Sequence, residues 1–158
     1  EADVWVKLNH PNVIPLLCVC RTGPAVLRQA VLVVPYIERG NITVYLKRNH
    51  CCDRLGLLID VANGLEYMHD VARIVHGNIK PENILIGDDG HALVSDMRSS
   101  TTVDDSGSAR EEKLYNMSSM PYYAPEVLHD REEHPGFIVC KRTTFSDVYS
   151  YGITSYEV

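Results

Sequence analysis

What this sequence lacks narrows it first. No run of about 18 apolar residues occurs, so nothing reads as a membrane-spanning helix. The opening EADVWVKLNHP has neither the basic start nor the apolar centre of a signal peptide. Lysine and arginine number 15 against 21 aspartates and glutamates, a net charge of −6 with no basic stripe. That balance speaks against nucleic acid or an anionic membrane surface as partner. The five cysteines, Cys18, Cys20, Cys51, Cys52 and Cys140, are odd in number and irregular in spacing, which argues against a disulfide framework. His50-Cys51-Cys52 finds no second C-x-x-C or H-x-x-x-H pair to complete a zinc set. Ordinary thiols in a reducing, cytoplasmic compartment are the expectation. There is no internal repeat and no low-complexity tract.

What remains is the composition of a soluble globular protein: 158 residues, 45% apolar and 23% charged, enough for one domain with a core. Val4, Trp5 and Leu8 have helical spacing and are broken off by His10-Pro11-Asn12. Val13–Cys20 and Ala30–Val34 are apolar, β-branched runs about Arg21-Thr22-Gly23-Pro24, which predict a hairpin of buried strands. Asn41 is placed to cap a short helix through Lys47, and Asp53 a long one to about Asp70, with Leu58, Val61, Ala62, Leu65 and Met68 on one face. Ile84–Ile86 and His91–Val94, joined by Gly87-Asp88-Asp89-Gly90, predict a second hairpin. Residues 98–120 read as an extended loop, Pro121–Pro125 as a turn into a short helix, and Ser146–Val158 as helix. The order is that of an α+β protein.

Polar chemistry gathers around the second hairpin. Lys80 and Asn83 precede its first strand and Asp96 follows its second, so closing the hairpin brings Asn83 and Asp96 together. An amide oxygen beside a carboxylate suits a hard cation such as Mg²⁺, and Lys80 could hold a phosphate. For each residue alone, capping a turn is the better account; together, in this order, they point to a site.

The motifs resemble those of a eukaryotic protein kinase domain over nearly the whole chain. HGNIKPEN at 76–83 resembles the H-R-D-L-K-x-x-N catalytic loop, Asp96-Met97-Arg98 stands where D-F-G would, and Ala124-Pro125-Glu126 is an intact A-P-E. SDVYSYG at 146–152 and His10-Pro11-Asn12 also have counterparts there. Lys80, two after the base position, is closer to the Ser/Thr-directed and tyrosine-kinase-like groups. The resemblance implies a bilobal fold in partial form: a small-lobe remnant and hinge over 1–37 and a large lobe over 38–158, with the glycine-rich loop, the strand lysine and the last helices outside the chain. An apolar face over the first hairpin is then expected to lie exposed.

The same resemblance assigns roles. Glu1 would be the helix glutamate that pairs with the strand lysine, Val34 the gatekeeper, Pro35 and Ile37 parts of the adenine-binding hinge, and Leu85 the floor beneath the adenine. Asn83 and Asp96 would ligate Mg²⁺, and Lys80 would be the catalytic-loop lysine. Trp5, Leu16, His76 and Met97 would stack on Asp147. Three departures bear on activity. Asn78 replaces the aspartate that accepts the substrate proton, a loss worth ~10²–10⁴-fold. Gly77 removes the arginine that grips a phosphorylated loop, and Met97-Arg98 replaces Phe-Gly, where arginine cannot visit positive φ as glycine does. The expectation is an ATP–Mg²⁺-binding, pseudokinase-like module with impaired transfer to protein Ser/Thr, acting on a protein substrate or signalling partner. Two alternatives stand: an active Ser/Thr kinase in which Asn78 positions the substrate, and a non-functional truncated fragment.

Overall fold

The structure is a computed structural model and describes residues 5–22, 29–103, 117–128 and 142–158. Glu1, Val4, the turn at Gly23-Pro24, the acidic loop residues Asp104, Asp105, Glu111 and Glu112, and Cys140 lie outside the described residues.

Strands β1 (Cys18–Thr22) and β2 (Gln29–Val33) pair antiparallel, with Val19 opposite Leu32. Three corrections follow. The strand starts at Cys18, not Val13, because Val13 instead bridges in parallel to Val94 of the second hairpin. The first hairpin is not buried: Leu17, Val19 and Val31 are exposed. β-branched composition reports strand propensity, not what covers the strand. The exposed valines do not form the single apolar face expected: the register puts Val19, opposite Leu32, and Val31, opposite Cys20, on different sides of the hairpin.

Helix α1 (Ile42–Arg48) starts where Asn41 Oδ1 accepts the Val44 N–H at 3.0 Å. Helix α2 (Arg54–Glu66) starts where Asp53 Oδ1 accepts the Gly56 N–H at 2.9 Å, and a π-turn over Tyr67–Val71 extends it. Each cap satisfies an otherwise orphaned amide, worth about 1 kcal/mol. The buried stripe of α2 is Leu57, Val61 and Leu65, continued by Met68; Leu58 packs on its edge. It lies against β5 (Ala92–Val94), which pairs with β4 (Ile84–Ile86); α1 packs on β4, and Ile84, Ile86, Ala92 and Val94 are fully buried. Burying each such aliphatic side chain is worth about 1.5–3 kcal/mol, so this helix-on-hairpin layer is the stable centre. Gly64 lets α2 come close: a Cβ there would lie 2.7 Å from the Asn12 carbonyl oxygen.

The expected loop over 98–120 is ordered at both described ends. A 3-10 turn spans Met97–Ser99, β6 (Thr101–Thr102) pairs with β3 (Ile74–Val75), and a second 3-10 segment spans Met117–Tyr122. Helix α3 (Thr144–Glu157) begins in a capping box, Thr143 Oγ1 accepting from Ser146 N and Ser146 Oγ accepting from Thr143 N. Among the described residues, helices and three two-stranded antiparallel sheets make a mixed α+β fold.

Candidate functional site

The loop from Val75 to Asn83 joins β3 to β4 and is held from below by one carboxylate. Asp147, in the first turn of α3 and almost fully buried, accepts the His76 N–H at 2.7 Å and the Gly77 N–H at 2.8 Å. His69 Nε2 also lies 2.8 Å from Asp147 Oδ2. A buried carboxylate is tolerable only with such partners, and here they fix the backbone of the loop.

His76 then sets the backbone of Asn78. Its Nδ1 accepts the Asn78 N–H at 3.1 Å and its Nε2 lies 2.8 Å from the Ser95 carbonyl oxygen, which can only accept. The ring must therefore be the neutral Nε2–H tautomer. Burial pushes the imidazole below its ordinary value and outweighs the upward pull of Asp147, Ser95 and Asp96.

The closed hairpin sets Asn83 against Ser95, the residue before Asp96. The Asn83 carbonyl accepts both the N–H and the hydroxyl of Ser95 at 2.9 Å, and Asn83 Nδ2 donates to the Asn78 carbonyl at 2.7 Å. Asn78 Nδ2 lies 3.4 Å from Asp96 Oδ2, while Asn78 Oδ1 is buried and has no hydrogen-bond partner among the described residues. The buried Lys80 donates to Ser118 Oγ at 3.2 Å, tying the loop to the second 3-10 segment. Val34, Ile37 and Leu85 each pack, partly buried, against the core, and Pro35 is half-buried. Glu1 lies outside the described residues. Trp5, His76 and Met97 are buried and Leu16 partly so.

Two arginines make contacts here that the sequence does not predict. Arg98 lies in the 3-10 turn, and the positive φ falls instead on Asp96, at 65°. From there Arg98 reaches back in a fork, Nε to Asp96 Oδ1 at 2.5 Å and Nη2 to Oδ2 at 2.9 Å. Burial raises the Asp96 carboxyl, but the Arg98 hydrogen bond and charge overcome it and hold the group below the usual carboxylate range. The second is Arg142, buried, with Nη1 donating to the Ser99 carbonyl at 3.2 Å and its guanidinium carbon 5.9 Å from the centre of the Tyr123 ring. Its stem fills the space above Gly77: a Cβ on Gly77, whose φ is 74°, would lie 2.6 Å from Arg142 Cδ.

A divalent cation does not fit this donor set as it stands. Asn83 is oriented through its Nδ2 and offers a neutral amide oxygen, but both oxygens of Asp96 are taken by the guanidinium fork. Among the described residues no group of three His, Cys, Asp or Glu converges.

Comparison with known proteins agrees with this frame. The family model described as protein tyrosine and serine/threonine kinase matches residues 1–158. The human serine/threonine-protein kinase TNNI3K is 32% identical over 168 residues, covering all of this chain and 18% of that protein. The Arabidopsis thaliana serine/threonine/tyrosine-protein kinase HT1 is 26% identical, with 37% of its length covered. Ephrin type-A receptor 5 of Gallus gallus is 30% identical, with 15% covered. The chain thus spans well under half the length of the curated relatives it matches.

Proposed function

The chain belongs to the protein tyrosine and serine/threonine kinase family, and from that premise we propose that it is a nucleotide-binding module whose transfer of phosphate to protein Ser/Thr is impaired. The family uses ATP and Mg²⁺ and acts on proteins. The observation that carries the reading is Asn78 itself. It sits at the base position with its backbone fixed by His76, and its amide donates towards Asp96. An amide oxygen has no useful basicity at neutral pH, so the proton of an attacking hydroxyl has no acceptor there.

Val34, Pro35, Ile37 and Leu85 would hold the adenine, Lys80 the phosphates, and Asn83 the polar edge of the site. Glu1 belongs to the same proposal. No helix among the described residues is long and apolar enough to cross a membrane. The working place proposed is the cytoplasm, and the role is signalling through a protein partner.

One observation favours an active enzyme instead. Asn78 Oδ1 is buried with no partner among the described residues, an acceptor able to orient a substrate hydroxyl without deprotonating it. Phosphoryl transfer leans on positioning and electrostatics, so such an enzyme would still turn over slowly. The deciding experiment measures ATP-dependent phosphorylation of a Ser/Thr substrate by the whole protein and by its Asn78→Asp variant, beside the melting shift that ATP produces. The expected result is a clear shift with transfer depressed ~10²–10⁴-fold below an active relative. A robust wild-type rate that Asn78→Asp leaves unchanged would refute impairment. No shift with ATP would refute nucleotide binding.

A further inference from the structure

An arginine occupies the place where a metal ion would act. Arg98 engages both oxygens of Asp96 in the planar two-point geometry that guanidinium makes with carboxylates. The pair is lopsided in exposure: the Asp96 side chain is 18% exposed and that of Arg98 71%. The anion is thus largely covered, while most of the cation's surface faces solvent. Lys80 supplies a second, buried positive charge from the loop that joins β3 to β4.

The electrostatic consequence can be counted. A divalent ion on a single carboxylate leaves one net positive charge for an incoming phosphate chain. The Arg98–Asp96 pair leaves none, but presents a guanidinium, a group that binds phosphate as readily as carboxylate. For a divalent ion to bind at Asp96, it must first displace the fork. Its other candidate ligand, the Asn83 amide oxygen, is uncharged and contributes less.

We propose that Arg98 serves as a built-in cation for the nucleotide phosphates, so that this site takes a nucleotide without Mg²⁺. This rests on the nucleotide reading above. It adds a second reason for impaired transfer. A guanidinium on Asp96 can steady a phosphate but cannot bridge the phosphoryl groups as a metal does, so the charge that builds on a departing phosphate loses its strongest counter-ion.

The test has two arms. In the first, the melting shift produced by ATP is measured in excess Mg²⁺ and in EDTA. The expected wild-type shift is the same in both, whereas Arg98→Gly responds only with Mg²⁺. A wild-type shift that vanishes in EDTA would overturn the proposal. In the second arm, without nucleotide, Mn²⁺ binding is followed by electron paramagnetic resonance for wild type, Arg98→Gly and Arg98→Gln. Releasing Asp96 from a charge-assisted pair should tighten Mn²⁺ about tenfold or more in both variants, and Asp96→Asn on top of either should abolish the gain. No gain in either variant overturns the proposal. If ATP produces no shift in any buffer, the nucleotide reading fails and the phosphate-binding role of Arg98 fails with it; a Mn²⁺ gain would then still establish that Arg98 blocks the metal position. Arg98 is exposed, so neither variant threatens the fold, and the glutamine variant controls for the added backbone freedom of glycine.

Discussion

Placing a methyl group on Gly77 should be among the more damaging small changes available to this chain. Two costs add. At φ 74° the backbone lies in the left-handed region, which costs an L-residue about 1–2 kcal/mol. The new Cβ would also stand 2.6 Å from Arg142 Cδ and 2.9 Å from the Ser99 carbonyl oxygen, and overpacking of that kind costs about 1–3 kcal/mol. Gly77→Ala is therefore expected to lose about 2–5 kcal/mol, a large part of the 5–15 kcal/mol that holds a typical domain together. Urea unfolding followed by tryptophan fluorescence reads this directly, since Trp5 is the single tryptophan and is buried. The mechanism is tested by repeating the change in an Arg142→Ala background. Removing the stem relieves one of the two clashes and leaves the backbone cost and the Ser99 contact, so the penalty should shrink by about 1 kcal/mol or more. A cost below about 0.5 kcal/mol for Gly77→Ala, or an equal cost in both backgrounds, would refute the interlock of Gly77 and Arg142.

Three further outcomes are expected. Asp147→Asn should cost about 3–5 kcal/mol in the same urea assay, because an amide cannot accept from His76, Gly77 and His69 as the carboxylate does. His76 should stay neutral in the folded protein below the pH at which a free histidine is protonated. Its folded value is lowered, so its contribution to stability is full above the ordinary histidine value and is lost as pH falls through it, with a slope of at most about 1.4 kcal/mol per pH unit. His91, raised by its Asp60 hydrogen bond, acts in the opposite sense, so the ring resonances are best followed in a His91→Gln background; a His76 titration near the ordinary histidine value would sink the tautomer assignment. Thr143→Val should remove the capping box of α3 at a cost of about 1 kcal/mol, visible as a lower unfolding midpoint, and an unchanged midpoint would deny the cap its role.

Much of the site could be read from the letters because its parts are local. Asn41 and Asp53 cap the helices they were expected to cap, since a short polar side chain meets its own backbone only a few residues on. Asn83 comes against Ser95, one residue before Asp96, because a tight hairpin leaves its ends no alternative. Where spacing gave out, the reason is physical. The first hairpin reads as buried, but burial is a property of neighbours, and Val19 and Val31 have few. In the sequence Arg98 is only a residue that resists the conformations of glycine. That its side chain turns back onto Asp96 depends on the positive φ of Asp96, a conformation aspartate adopts only a minority of the time. Nothing in the sequence ties Arg142 to Gly77, which are neighbours only once β3, α3 and the 3-10 turn have assembled.

The bridge of Val13 to Val94 bears on how the molecule can bend. Ile14 N–H donates to the Val94 carbonyl and Val94 N–H to the Asn12 carbonyl, each at 2.9 Å, and Asn12 Nδ2 donates to the Ala92 carbonyl at 3.1 Å. Trp5 Nε1 donates to the Ile14 carbonyl at 2.9 Å and seals the arrangement. Residues 12–14 are thereby fastened to the strand that carries Asp96 at its exit. A clamshell motion about this site would have to pivot beyond them, at Pro15–Leu17 on one side and Pro35–Glu38 on the other. The first hairpin would then swing as a flap while Trp5–Ile14 stay with the body. In hydrogen exchange the Ile14 and Val94 amides would be exchanged last, long after those of β1 and β2.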